Sequence, residues 1–391
     1  MNVPNNSVII SNIIDKDKTF SGELKKNIIK KFNESLTNKN YKYCGIYLAD
    51  LISSGYFKDI WNSIFNCVFK DINTNNPTLP YYLFLYYDKY DKIYNSFKKD
   101  LIIELRNNQE IRNLFTEISV IVCLSDKNFI LQSKHLPKIK NINDYKSKIK
   151  ASHNNFIKNY LYSDDPYEII FALNEIAFIL NSNDHRLTIN NIFYWLEWLM
   201  KVDLNYRKNK KEFHCHKIII SDVKEKYHND WIWVLWRIIK DFCDKINSSF
   251  INYQFKSLLY FFKLNFTTAS KKNKLPIIQY MLLLIKSDYK INTKLCNNNS
   301  LKMKLCLINN IHFINLTKYN TIINNNTNEI NNKHVINGLN VYKENKQIEN
   351  KNNIDENTKY LNIITYKDNN QENNYDQSDN HDQLKKIKIN N

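Results

Sequence analysis

Glycine and proline are scarce in this chain, with 4 Gly and 6 Pro in 391 residues. The glycines stand at Gly22, Gly45, Gly55 and Gly338. Phosphate-cradling loops of the GxxxxGK or GxGxxG kind need glycines at fixed offsets, and no pair of these four has that spacing. A GxSxG elbow, an HExxH pair, an EF-hand loop and the kinase signatures are absent too. These absences argue against a nucleotide-driven motor, dehydrogenase, kinase or serine hydrolase of a common type. Long apolar runs are also missing. The longest candidate, residues 275–285, contains Gln279 and falls short of the roughly 18 residues of a spanning helix, so no membrane span is expected. No CxxC occurs among the 7 cysteines, which are Cys44, Cys67, Cys123, Cys215, Cys243, Cys296 and Cys306. Their number is odd and their spacing wide. The first ten residues are polar with only a short apolar end, so no signal peptide is expected. The cysteines therefore read as reduced, mostly buried thiols of a reducing compartment.

Hydrophobic residues make up 43% and charged residues 24% of the chain, the balance of a globular protein. Lys, Asn, Ile, Tyr and Phe are abundant, all types with A/T-heavy codons. An AT-rich genome therefore inflates the formal net charge of +17 as evidence for a polyanion partner. Residues 318–391 hold ten Lys against ten Asp or Glu, which leaves the positive charge on residues 1–317.

Apolar residues recur at helical spacing along most of the chain. Leu24, Ile28, Phe32 and Leu36 mark a first helix, with Ser21 and Glu23 as its start signal. Tyr43, Tyr47 and Leu51 mark a second, stopped at Gly55. Further helices are expected over 57–69, from Pro80, and near 98–106, 109–124, 142–162, 166–181, 188–202, 228–246, 249–266 and 274–290. Asp165-Pro166 reads as a cap followed by Pro at the first helical position. Strand signal is confined to 217–221 and 317–323. The fold class is all-α: an irregular multi-helix bundle or a solenoid-like stack of antiparallel helices, with a disordered C-terminal tail. The expected organisation is a flexible leader over 1–18, helical subdomains over 19–124 and 142–317, and an Asn-rich tail over 318–391 too polar to offset its ordering entropy.

Three groups of residues carry chemistry worth placing. His214, Cys215 and His216, with His228 twelve residues on, are the densest set of metal-ligating types. They lack the second well-spaced pair of the recognised zinc motifs, so the segment reads as a polar loop and neither metal nor cofactor is expected. Around Trp233, a helix starting after Asn229 or Asp230 has an apolar stripe of Ile232, Leu235, Trp236, Ile239, Phe242 and Cys243. Trp233 falls on its other face with Arg237 and Lys240, as a packed residue or an interface anchor. A His228–Asp230 pair lacks an identifiable nucleophile, and no catalytic residue is assigned. Basic residues cluster at Arg207, Lys208, Lys210 and Lys211 and at Lys271, Lys272 and Lys274. If they converge, they could follow a phosphate backbone with nearby Tyr and Phe stacking on bases.

The run from Tyr47 to Phe57 (Tyr-Leu-Ala-Asp-Leu-Ile-Ser-Ser-Gly-Tyr-Phe), then Asp59-Ile60-Trp61 and Asn76-Pro77-Thr78-Leu79-Pro80, resembles a family of uncharacterised proteins of nucleocytoplasmic large DNA viruses, the mimivirus-like giant viruses. His228-x-Asp230-x-x-Trp233-x-x-Trp236 and the 255–285 region are similar to that family too. The resemblance covers about residues 20–290 and carries over no active-site residue. It implies a location in host cytoplasm, at the viral factory, or in the virion. The resulting expectation is a helical interaction or scaffold protein of a viral replication, transcription or assembly complex, with protein partners. A basic nucleic-acid-binding protein of the same compartment is the second reading, and an enzyme built on the His214/Cys215/His216/His228 neighbourhood the third.

Overall fold

The computed structural model describes residues 16–97, 102–127, 141–153, 155–184 and 186–286. Cys296, Cys306, the strand candidate at 317–323 and the 318–391 tail lie outside these residues, as does most of the leader. Within them the secondary structure is helical: eleven α-helices, short 3₁₀ turns, and no strand among the described residues beyond a single bridge between Lys18 and Leu24.

The first helix, α1 (Lys25–Thr37), buries Ile28, Phe32 and Leu36 as the spacing predicts. It starts four residues after Ser21, because Ser21 is engaged elsewhere. Its N–H and Oγ donate to the two carboxylate oxygens of Asp50 at 3.0 and 2.6 Å, tying the chain entry to the next helix. That helix, α2 (Tyr41–Ser53), buries Cys44, Leu48, Leu51 and Ile52. The buried stripe is rotated from the expected one: Tyr43 is exposed and Tyr47 half-buried against the core. Gly55 ends the turn with φ of 77°, a left-handed value that a Cβ would strain.

α3 (Phe57–Asn66) runs on through π-type turns to Ile72, keeping Cys67, Val68, Phe69 and Ile72 inside. α4 (Leu79–Ser96) carries Pro80 in its first turn, where no N–H is missed. α5 (Ile102–Asn107) leads into α6 (Gln109–Leu124), capped by Asn108 Oδ1, which accepts from the Ile111 N–H at 2.9 Å.

The helix expected over 142–162 does not form. Only 3₁₀ turns occur there, at Ile142–Lys148 and Asn155–Ile157. The backbone N–H groups that a helix would need are taken by side chains of the next helix, α7 (Tyr167–Asn181). Lys150 and Ala151 donate to Glu175 at 3.0 and 2.9 Å, and Phe156 donates to Asn174 at 3.2 Å. Burial pushes the Glu175 carboxyl up, and these donors oppose the shift.

α8 (Ile189–Lys208) follows, buried along Phe193, Trp195, Leu196, Trp198 and Leu199. Then come α9 (Ile232–Ile246), α10 (Ser249–Lys263) and α11 (Lys271–Lys286). α1 pairs with α2, α7 with α8 and α10 with α11, while α4 lies on α10 and α2 on α6. One hydrophobic core runs from Ile28 to Leu284. It crosses between the chain's halves where Phe65 meets Phe261 at 5.0 Å between ring centroids and the Tyr280 hydroxyl donates to the Asn76 carbonyl at 2.8 Å. Among the described residues no helix is long and apolar enough to cross a membrane.

Candidate functional site

The connection between α8 and α9, residues 209–231, is the longest stretch of described chain with little regular structure, holding only a 3₁₀ turn at Glu225–Tyr227. It folds back on itself through two backbone bonds, from Cys215 N–H to Asn229 O at 3.0 Å and from Ile218 N–H to His228 O at 2.9 Å. This is what became of the strand candidate at 217–221: a pinned loop. Phe213 is buried against Tyr206 of α8, with ring centroids 4.7 Å apart.

Two polar clusters anchor the loop. In the first, Lys271, only 2% exposed at the start of α11, sets its Nζ 2.5 Å from Asp203 Oδ2 and 2.9 Å from Asp230 Oδ1. Arg207 Nε adds a bond of 3.0 Å to the other oxygen of Asp203. Asp230 Oδ1 also accepts from the Ile232 N–H at 3.1 Å, at the first residue of α9. The Trp231 ring lies 4.9 Å from the ammonium. The two cations and two carboxylates balance, which is how four charges are held at or near the interior.

The second cluster joins Asp165, Cys215 and His216, with one ligand-type atom from each within 4.8 Å of the others. Asp165 Oδ1 accepts from the His216 N–H at 2.7 Å, and Oδ2 accepts from the Tyr162 N–H at 2.7 Å. His216 Nδ1 lies 2.9 Å from the same Oδ2. The Cys215 thiol contacts the Asn229 carbonyl at 3.6 Å. Burial first, then the Asp165 and Asp230 carboxylates, push this thiol up to about 12, against a smaller opposing pull from Lys271.

Sequence spacing put Cys215 and His216 together but missed Asp165, fifty residues away. Asp165 reads locally as the cap of α7. In the structure Pro166 takes the N-cap position, and the Asp165 carboxylate serves the loop instead. The other two metal-ligating candidates go elsewhere. His214 is exposed, and buried His228 points Nε2 at the Val223 carbonyl 3.0 Å away. Asp230 is committed to Lys271, so His228 and Asp230 do not act as a pair.

Trp233 is not an interface anchor. It is fully buried, its Nε1–H donates to the Tyr227 carbonyl at 2.7 Å, and its ring meets Phe266 at 4.6 Å and Phe262 at 5.7 Å. The 209–231 loop and the chain after α10 cover the face that the helical wheel leaves polar. Arg237 and Lys240 remain exposed on α9, with Lys240 paired to Asp244 at 2.5 Å.

The basic candidates divide. Arg207, Lys208, Lys210, Lys211 and Lys272 are exposed. Lys271 is buried, and Lys274 turns inward to donate to the carbonyls of Phe261 at 3.0 Å and Leu264 at 2.6 Å, its ammonium pushed down to about 8 by burial. Neither is available to a phosphate.

The four most exposed large apolar side chains among the described residues lie in this loop or within a few residues of the side chains that anchor it. Ile219 is 83% exposed, Tyr162 62%, Tyr167 60% and Leu204 44%. Tyr162 stands edge-on over His216 at 4.5 Å, Tyr167 opens α7 two residues after Asp165, and Leu204 adjoins Asp203 on α8. Compared with known protein families, curated proteins and solved structures, the chain finds no match.

Proposed function

We propose that this chain is a helical interaction or scaffold protein of a viral replication, transcription or assembly complex, and that it docks a protein partner on the face around the 209–231 loop. The observation that carries the reading is the high exposure of Ile219 in the loop and of Tyr162, Tyr167 and Leu204 near the residues that anchor it, in a loop whose base is held by buried ionic and polar bonds. Exposed apolar side chains on a rigid support are what a partner can bury with little backbone ordering cost. Exposed Lys208 at the end of α8 and Lys210 and Lys211 in the same loop add positive charge, so the fitting partner presents apolar residues with acidic ones. The viral setting, host cytoplasm or virion, rests on the giant-virus resemblance of 47–61 and 228–236.

A photo-crosslinking residue placed at 219, at 162 and, as control, at exposed Asn95 of α4 tests this in infected cells. One discrete adduct shared by 219 and 162 and missing from 95 supports the reading. Equal labelling at all three sinks it.

A second reading, nucleic-acid binding, is favoured by one observation: Arg207, Lys208, Lys210 and Lys211 lie exposed at the end of α8, where the Tyr206 hydroxyl donates to Glu168 beside exposed Tyr167. Titration of the full chain with labelled single- and double-stranded nucleic acid over a salt series decides it. A steep salt slope reduced by a Lys208/Lys210/Lys211 triple alanine variant supports it, and no binding at physiological salt ends it.

A further inference from the structure

We propose that Asp165, Cys215 and His216 are the protein ligands of a site for a divalent transition-metal ion of the zinc class. The inference rests on this cluster alone and not on the docking reading above. The donor set is one carboxylate oxygen, one sulfur and one imidazole nitrogen, already within 4.8 Å of one another. Zinc–ligand bonds of roughly 2.0–2.3 Å at tetrahedral angles set donors about 3.3–3.8 Å apart, so small side-chain shifts close the site. Sulfur and imidazole select zinc, cobalt or similar ions over magnesium and calcium, which take oxygen.

Charge supplies an independent argument. The neighbouring group of Arg207, Asp203, Lys271 and Asp230 is internally balanced. Asp165 is buried too, yet the groups that meet its carboxylate are two backbone N–H groups and the His216 ring, with no lysine or arginine ion pair among the described residues. A buried carboxylate without a fixed cation is uncommon, because desolvation is then poorly offset. The Cys215 sulfur stands next to this carboxylate, so two anionic-capable donors share one buried site. A dication there meets both donors at once. Binding releases the thiol proton to solvent, and the thiolate and Asp165 together neutralise the two positive charges. Three protein donors leave a fourth position for water, on the side where His216 is partly open to solvent beneath Tyr162.

The experiment loads the metal-free full chain with Co²⁺ and reads the sulfur-to-cobalt charge-transfer band together with the visible d–d bands. One equivalent is expected to bind with both signals. Cys215→Ser removes the charge-transfer band, Asp165→Asn and His216→Ala each weaken binding at least about tenfold, and a Cys296→Ser/Cys306→Ser variant leaves both signals unchanged. A band that survives Cys215→Ser, or never forms, overturns the assignment. Zinc-edge X-ray absorption on the wild-type chain needs no substitution. It should show one sulfur at about 2.3 Å and nitrogen or oxygen neighbours at about 2.0–2.2 Å. Two or more sulfurs, or none, means adventitious binding only and equally overturns it.

Discussion

A lysine ammonium taken out of water is costly unless carboxylates meet it, and Lys271 meets two. Lys271→Met removes the cation and leaves Asp203 and Asp230 facing each other across the gap. Urea unfolding should show a loss of about 3–5 kcal/mol. Adding Asp230→Asn to that variant should recover part of the loss, since the remaining carboxylate keeps Arg207. Lys240→Ala, which breaks only the exposed pair with Asp244, should leave the unfolding midpoint almost unmoved. Lys274 makes a pH-dependent case. Its folded-state value is lowered from 10.5 to about 8, so between these values the unfolded chain binds more protons at this site than the folded one. This group therefore adds stability as pH rises from about 8 to 10.5. The slope of unfolding free energy against pH should be less positive in Lys274→Met than in the wild type over that window.

Helix ends make a second use of lysine, here half-buried. Lys274 donates to carbonyls at the end of α10, Lys286 to those of Ile179 and Ser182 at the end of α7 (2.9 and 2.6 Å), and Lys127 to those of Val122 and Ser125 at the end of α6 (2.7 and 3.0 Å). The last carbonyls of a helix lack intrahelical partners and carry partial negative charge, so an ammonium satisfies both. Part of the +17 is therefore spent inside the fold, which shrinks the surface charge that any polyanion meets. Caps and turns are also where single substitutions act most cleanly. Gly55→Ala forces a Cβ into a left-handed residue, and Asn108→Ala removes the acceptor at the start of α6. Each should lower unfolding free energy by about 1 kcal/mol in denaturant titrations, with the m-value unchanged.

At the level of the whole molecule, the bonds that matter most join distant parts of the chain. Gln254 of α10 accepts from the Tyr81 N–H of α4 at 3.1 Å, and Tyr280 of α11 reaches Asn76. With one core shared by both halves, the described helices should unfold together. Far-UV circular dichroism and tryptophan fluorescence should give coincident denaturation curves, and Tyr280→Phe should shift both by the same amount, about 1 kcal/mol. Separate transitions would show that the halves are independent folding units. Much of the helical order was legible beforehand: the 109–124 helix, the stop at Gly55 and the start near Pro80 all follow from periodicity and capping within a few residues. The candidate site was only partly legible. Cys215 and His216 are neighbours in sequence, but Asp165 carries a stronger local signal as a cap than as a ligand.

What the sequence by itself determined is therefore the local part: which segments become helices, which face of each is apolar, and which loops punctuate them. These depend on groups three or four residues apart, whose distances the backbone sets in advance. Tertiary structure decided the rest. It dissolved the helix expected over 142–162 by offering its N–H groups to Asn174 and Glu175, buried Trp233 under a loop, turned Lys271 and Lys274 inward, and brought Asp165 to Cys215 and His216. A buried polar group must find a partner wherever the fold places one, and that place is set by packing across forty to two hundred residues of chain rather than by its neighbours.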